Sequence, residues 1–149
     1  MNKAAAMPAE TLKKFAFTFA VATAGLAVAT CIFNQIDFGI FPIGTIVSFC
    51  VAPVLLNLFI LFVDDEKKKT WANHKIGGIL LYIFFGGWAI FGAYNILIFI
   101  LNSLSMFGYL SMILLFATQI TYTLDGLVGL VYYHNFKTAA ANGNEPLMH

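Results

Sequence analysis

The chain of 149 residues is long enough for one domain, and 60% of its residues are hydrophobic while only 10% are charged. This composition is far more apolar than that of a soluble domain and predicts an integral membrane protein. The net charge of +1 excludes an electrostatic surface for nucleic acid, and the absence of arginine excludes a bidentate clamp for phosphate or carboxylate groups.

The N-terminal part combines a polar segment, residues 1–14, with an apolar run rich in small residues, residues 15–33. Lysines followed by an apolar stretch and Ala27-Val28-Ala29 are also typical of a secretory signal peptide with its cleavage site. Because the apolar run continues past that site, we interpret it as a retained first membrane span.

Three further apolar runs, residues 38–63, 76–101 and 109–133, are each long enough to cross a bilayer as a helix. Residues 34–37 are predicted to form a very short turn, and residues 102–108 connect the third run to the fourth. Residues 64–75 are the most polar segment, where three acidic residues precede Lys67-Lys68-Lys69, and a solvated loop is predicted there. Residues 134–149 are polar and small, which predicts a flexible tail.

The lysines predict the orientation of the chain. All of them precede the first span, lie in the central polar segment or follow the last span. The positive-inside rule then places both termini and the central loop in the cytoplasm. The predicted fold is an all-α integral membrane protein, a four-transmembrane-helix bundle with up-down-up-down topology.

Small residues at helical spacing predict where the helices touch, because lipid supplies no hydrophobic force between them. The residues selected on this basis are Ala22, Gly25, Ala29, Gly86, Ala89, Ala93 and Gly129.

Asp125 is the one carboxylate well inside an apolar run, and such a group normally faces protein or water. Asn57 lies at a similar distance from the cytoplasmic end of the second span, which predicts that its amide donates to the Asp125 carboxyl and that Thr121 shares this polar site. Two interpretations remain: a structural hydrogen bond worth about 0.6–2 kcal/mol, and a proton or cation site. The structural one is favoured because no second intramembrane charge is available.

The third span carries Phe84, Trp88, Phe91 and Asn95 on one face. This ridge is interpreted as a lipid-facing surface, with a partner-docking surface and a quinone or sterol contact as alternatives. Asn95 favours a partner, because an amide that faces lipid is costly.

Motifs for catalysis are missing from the sequence: there is no Ser-His-Asp order, no metal-ligand spacing of His or Cys, and no glycine-rich phosphate loop. We therefore expect a non-enzymatic protein with no metal site and no cofactor. Cys31 and Cys50 fall at different depths, so two free, buried thiols are expected.

The four-span pattern with brief far-side turns resembles the MARVEL-like tetraspan group, which includes vesicle proteins and insect snakeskin-type septate-junction proteins. The last span, Thr121-Tyr-Thr-Leu-Asp125-Gly-Leu-Val-Gly-Leu-Val-Tyr-Tyr133, is similar to the last span of such junction proteins.

Aromatic faces and the absence of a soluble domain predict an accessory or organising subunit in the plasma membrane or an intracellular vesicle membrane. Its expected contacts are membrane lipids and, through its transmembrane helices, other integral membrane proteins or further copies of itself. The alternative is a small oligomeric ion channel or transporter that uses Asp125.

Overall fold

The computed structural model describes residues 9–103 and 108–141, and the regular elements in these ranges are five α-helices. They are α1 (Ala9–Phe38), α2 (Ile43–Phe62), α3 (Asp65–Asn73), α4 (Lys75–Ser103) and α5 (Leu110–Ala141). Four of them contain apolar stretches long enough to cross a membrane: Glu10–Phe38, Ile43–Phe62, Lys75–Asn102 and Leu110–Thr138. The prediction of an all-helical chain with four membrane-length helices is confirmed.

The first turn lies later in the chain than predicted. Residues 34–37 are the last turn of α1, and the chain reverses at Gly39, whose φ of +73° is readily adopted only by glycine. The Gly39 N–H donates to the Gln35 carbonyl at 2.9 Å, as in a helix end with a left-handed cap. Pro42 then precedes α2, and its carbonyl accepts a hydrogen bond from the Cys31 thiol at 3.2 Å.

The central polar segment contains the short helix α3, where a loop was predicted. Asp64 precedes it in an extended conformation, and His74 ends it in the same way. The His74 Nδ1 atom then accepts a hydrogen bond from the Gly77 N–H at 3.0 Å and so caps the start of α4. The chain therefore leaves α2, crosses the end of the bundle as α3 and enters α4 without a long loop.

The outer ends of α1 and α5 differ from the predicted boundaries. Helix α1 begins at Ala9, within the segment that was predicted to precede the span, and α5 continues beyond Tyr133 to Ala141. The predicted flexible tail therefore begins with helix over residues 134–141. Residues 1–8 and 142–149 lie outside the described residues.

Helix α5 occupies the centre of the fold. It contacts each of the other four helices, whereas in the described ranges the backbone of α4 lies close to neither α1 nor α2, and α4 meets α2 through side chains such as Phe85 and Phe59. At the end of the bundle where α3 lies, side chains from all five helices form one apolar core. Its buried members are Leu12, Ala16, Leu56, Ile60, Ala72, Phe85, Trp88, Tyr132, Tyr133 and Phe136.

Candidate intramembrane polar site

Hydroxyl groups join α1 to α5 inside the apolar region. The Thr23 hydroxyl donates to Thr121 Oγ1 at 2.9 Å, and the hydroxyls of Thr30 and Thr118 lie 3.3 Å apart. Each hydroxyl also lies within hydrogen-bond distance of a carbonyl one turn back in its own helix. Because a hydroxyl has one proton, the member of each pair that accepts can donate to that carbonyl, which is the usual way to satisfy a hydroxyl in a membrane helix. The contact between α1 and α5 is therefore polar at its centre and satisfied.

The same helix pair is joined at its other end by a charged cap. Asp37 Oδ2 accepts a hydrogen bond from the Ser111 hydroxyl at 2.8 Å and a longer one from the Ser111 N–H at 3.4 Å. Ser111 is in the first turn of α5, where unpaired N–H groups and the helix dipole favour a carboxylate. Nearby, the rings of Phe38 and Tyr109 lie 4.9 Å apart. This role of Asp37 was not predicted from the sequence.

Asp125 lies one turn beyond Thr121 on α5 and is 0% exposed. Neither carboxyl oxygen has a hydrogen-bond partner among the described residues. The expected hydrogen bond from Asn57 is absent, and the Asn57 amide donates to the Pro53 carbonyl at 2.9 Å. Thr121 bonds to Thr23 and to its own helix, so the predicted pairing of the three side chains is wrong; Asp125 is buried, whereas Asn57 and Thr121 are partly buried.

The α4–α5 contact is built from glycines facing aromatic rings. A Cβ placed on Gly126 would lie 2.9 Å from the Trp88 ring, and one on Gly129 would lie 2.9 Å from the Phe85 ring. The two helix backbones approach closely here because neither glycine has a side chain. Gly129 is therefore at a helix contact, as its selection from the sequence proposed.

The other small residues selected from the sequence are placed less uniformly. Ala89 is buried, and Ala22 and Ala29 are partly buried. Gly25 and Ala93 are exposed, and no atom lies within 4 Å of a Cβ built on Gly25 or Gly86. The prediction that Gly25, Gly86 and Ala93 pack within this chain is therefore wrong. The buried residues of α1 lie at other positions: Leu12, Ala16, Thr23, Ala27, Thr30 and Cys31.

The predicted aromatic ridge divides between two surfaces. Trp88 is buried against Gly126, with its ring 5.3 Å from that of Tyr122, whereas Phe84 and Phe91 are exposed. Asn95 is partly buried, and its amide donates to the Phe91 carbonyl at 2.8 Å. The ridge is therefore not one continuous outward face, since Trp88 belongs to the core.

Between α2 and α4 lies a cleft of about 130 Å³, which we call the polar cleft. Its lining residues come from α2, α4 and α5: Ser48, Phe49, Phe91, Gly92, Asn95, Gln119 and Tyr122. The Gln119 Oε1 atom is buried and has no hydrogen-bond partner among the described residues. The cleft exists because α2 and α4 both pack on α5 while their backbones stay apart.

No known relative identifies the chain. None of the protein-family models matches the sequence, and no curated protein or solved structure is significantly similar to it. The resemblance to the MARVEL-like group therefore stays a prediction.

Lys68 is the second charged side chain that the structure buries, although a solvated position was predicted for it. It is 2% exposed, and its ammonium group donates to the Ile60 carbonyl at 3.0 Å and to the Tyr132 hydroxyl at 2.8 Å. The same group lies 5.6 Å from the ring centre of Phe59 and 5.4 Å from that of Tyr132, within range for cation–π attraction. Lys68 thus anchors α3 to α2 and α5.

Metal ligands and thiols add nothing to the candidate site. Within residues 9–103 and 108–141, no group of three or more His, Cys, Asp or Glu side chains is placed to hold a metal ion. Both cysteines are free as expected; Cys31 is buried, whereas Cys50 is only partly buried.

Replacing Asp125 with leucine is expected to raise the free energy of unfolding by about 1–3 kcal/mol, the usual cost of a buried polar group that lacks a partner. Thr118→Val, which removes a bonded hydroxyl of the same helix, is expected to lower it by about 0.6 kcal/mol. Thermal unfolding in detergent compares the two variants with the parent protein. A loss of stability for Asp125→Leu would contradict the placement of the carboxyl without a partner.

Proposed function

We propose that the protein is a non-enzymatic accessory or organising subunit of the membrane, which binds a partner membrane protein through its transmembrane helices. The observation that supports this proposal is the polar cleft. Its four polar side chains, Ser48, Asn95, Gln119 and Tyr122, lie between two helices that leave the space between them uncovered. Polar groups at the depth of the membrane normally contact protein, so a partner helix with a hydrogen-bonding side chain is the occupant that fits.

The proposed orientation is up-down-up-down with both ends of the chain in the cytoplasm. Pairing between helices supports alternating directions: residue numbers rise along α1 as they fall along α5, from Thr23–Thr121 to Asp37–Ser111. The lysines of the described segments lie towards one end of this arrangement, as the positive-inside rule requires of a cytoplasmic face.

Burial of Asp125 supports the accessory function over an ion channel or transporter. A conducting path needs water or further polar groups along its length. Asp125 is fully buried, and the neighbouring hydroxyls of Thr118 and Thr121 are bonded to α1 and to their own helix. A channel would therefore require a rearrangement of the α1–α5 contact, whereas partner binding at the polar cleft requires none.

Filling the polar cleft is expected to release the partner. The full chain, purified in a gentle detergent from its native membrane, should carry a second integral membrane protein in fixed ratio, identified by mass spectrometry. Ser48 is exposed and lines the cleft, so Ser48→Leu should block entry of a partner side chain. We expect at least about a tenfold loss of the copurified partner, which corresponds to about 1.4 kcal/mol of binding free energy.

Thr18→Leu is the matched control, because Thr18 is an exposed hydroxyl residue of α1 and does not line the cleft. It changes polarity and volume in the same sense and should leave the partner bound. Purification of the protein alone, or equal losses with both variants, would contradict the proposed function.

A further inference from the structure

A second groove runs along α4 and α5 at the end of the bundle where α3 lies, and we call it the tyrosine groove. Its outer part, about 410 Å³, is lined by Tyr82, Leu130, Val131, His134 and Asn135. The membrane-crossing stretch of α5 ends at Thr138, close to His134 and Asn135. The outer part thus has apolar walls and a polar rim at the level where lipid headgroups begin.

The inner part of the groove continues from Tyr82 into the apolar region along α4. It measures about 420 Å³, and its residues include Ile83, Gly86, Gly87 and Ile90. No atom lies within 4 Å of a Cβ built on Gly86 or Gly87, so the floor at these glycines is open. From Ile79 to Ile90 the helix advances by about 16 Å, roughly the thickness of one leaflet of the hydrocarbon core. This shape accommodates an acyl chain.

The rim carries positive charge and polar groups. The Lys137 ammonium lies over the Tyr82 ring, 4.8 Å from its centre, and the Tyr82 hydroxyl is 2.9 Å from His134 Nδ1. No ion pair joins Lys137 to an acidic residue in the described part of the chain. The Asn135 amide nitrogen has no hydrogen-bond partner among the described residues, but it is buried. An anionic oxygen placed at this rim would therefore meet the Lys137 ammonium group.

From these observations we propose that the tyrosine groove binds one anionic phospholipid, with its phosphate at Lys137 and His134 and an acyl chain over Gly86 and Gly87. The site is separate from the polar cleft, so it does not depend on the accessory function, although it rests on the proposed cytoplasmic position of this end of the bundle. Basic pockets between membrane helices on the cytoplasmic side suit anionic headgroups, and that leaflet contains the anionic lipids. A lipid, rather than a free anion, is favoured because the polar rim continues into an open apolar face of α4.

Native mass spectrometry of the full chain, with phosphatidylserine and with phosphatidylcholine of the same acyl chains, tests the headgroup. We expect one phosphatidylserine to be retained in preference to phosphatidylcholine. Lys137→Gln should weaken this binding about fivefold, the effect expected for one lysine near an anionic headgroup. Lys14→Gln is the charge-matched control on α1 and should leave the binding unchanged.

Gly87→Leu tests the acyl-chain part, since it fills the inner groove at a position with open space around it. It should also weaken phosphatidylserine binding at least fivefold, whereas Gly25→Leu, at an open glycine of α1, should not. Four results would overturn the proposal: equal retention of the two lipids, equal losses for Lys137→Gln and Lys14→Gln, no loss for Gly87→Leu, or displacement of the lipid by inorganic phosphate alone.

Discussion

Replacing Lys68 with alanine is expected to lower the free energy of unfolding by about 3 kcal/mol or more, the largest effect of any single lysine in the described chain. The substitution removes two hydrogen bonds from a charged donor, to the Ile60 carbonyl and the Tyr132 hydroxyl, and each such bond contributes about 1.5–3 kcal/mol. It also removes the cation from the rings of Phe59 and Tyr132.

The position of Ile60 explains why this contact matters. Ile60 lies in the last turn of α2, where carbonyl groups have no partner within the helix and the helix dipole is negative. A lysine from the next helix satisfies that carbonyl and compensates the dipole. Without it, a buried carbonyl and the Tyr132 hydroxyl each lose their hydrogen bond to the ammonium, and α3 loses its buried contact with α2.

Thermal unfolding of the full chain in detergent measures the effect. Lys67→Ala is the control on the same helix, since Lys67 is exposed and its removal should change the stability by less than about 0.5 kcal/mol. Tyr132→Phe removes one acceptor of the Lys68 ammonium and should give an intermediate loss. Equal, small effects of Lys68→Ala and Lys67→Ala would show that the buried ammonium does not stabilise the fold.

Replacing Gly126 with leucine is expected to cost about 3 kcal/mol by forcing α4 away from α5. A single added Cβ already lies 2.9 Å from two atoms of the Trp88 ring, too close for any real contact, and leucine adds three further carbon atoms. Trp88 cannot easily move aside, because it is 5% exposed and packs against Phe84 and Tyr122. The strain therefore falls on the helix separation.

Gly25→Leu separates this packing effect from the change in helix propensity. Both substitutions replace a helical glycine with a good helix former, which by itself stabilises a helix by about 1 kcal/mol. Gly25 has no atom within 4 Å of a built Cβ, so its replacement should leave the stability unchanged or raise it. The comparison uses the same unfolding measurement, and a similar result for both variants would contradict the close α4–α5 contact.

The helical class and the four membrane-length runs could be predicted because runs of apolar residues carry that information directly. The short helix α3 was not predicted, because the segment around Lys67-Lys68-Lys69 is polar in composition and its helical structure depends on contacts at the end of the bundle. The first turn was misplaced for a similar reason. Asn34 and Asp37 are polar, yet the reversal occurs at Gly39, where the backbone requires a positive φ.

Residues of the candidate site could be predicted from the sequence, whereas the contacts between them could not. Asp125 stands out in the sequence as an isolated carboxylate, and it is buried. Its partner could not be inferred from depth alone, because Asn57 satisfies its amide within α2, at the carbonyl of Pro53. Two residues at the same depth meet only if both lie on the faces where their helices touch. Stripes of small residues do not define those faces here, because large side chains such as Phe85 and Trp88 fill the α4–α5 contact.

The central position of α5 has a consequence for synthesis. During insertion into the membrane, α1 to α4 leave the ribosome before α5, yet in the described structure the backbone of α4 lies close to neither α1 nor α2 and meets α2 only through side chains such as Phe85 and Phe59. Until α5 arrives, Thr23 has no threonine of α5 to bond with, and Trp88 has no glycine surface to pack on. The nascent chain can form the individual helices but not the complete bundle, so packing of the helices into the bundle follows the insertion of the last helix.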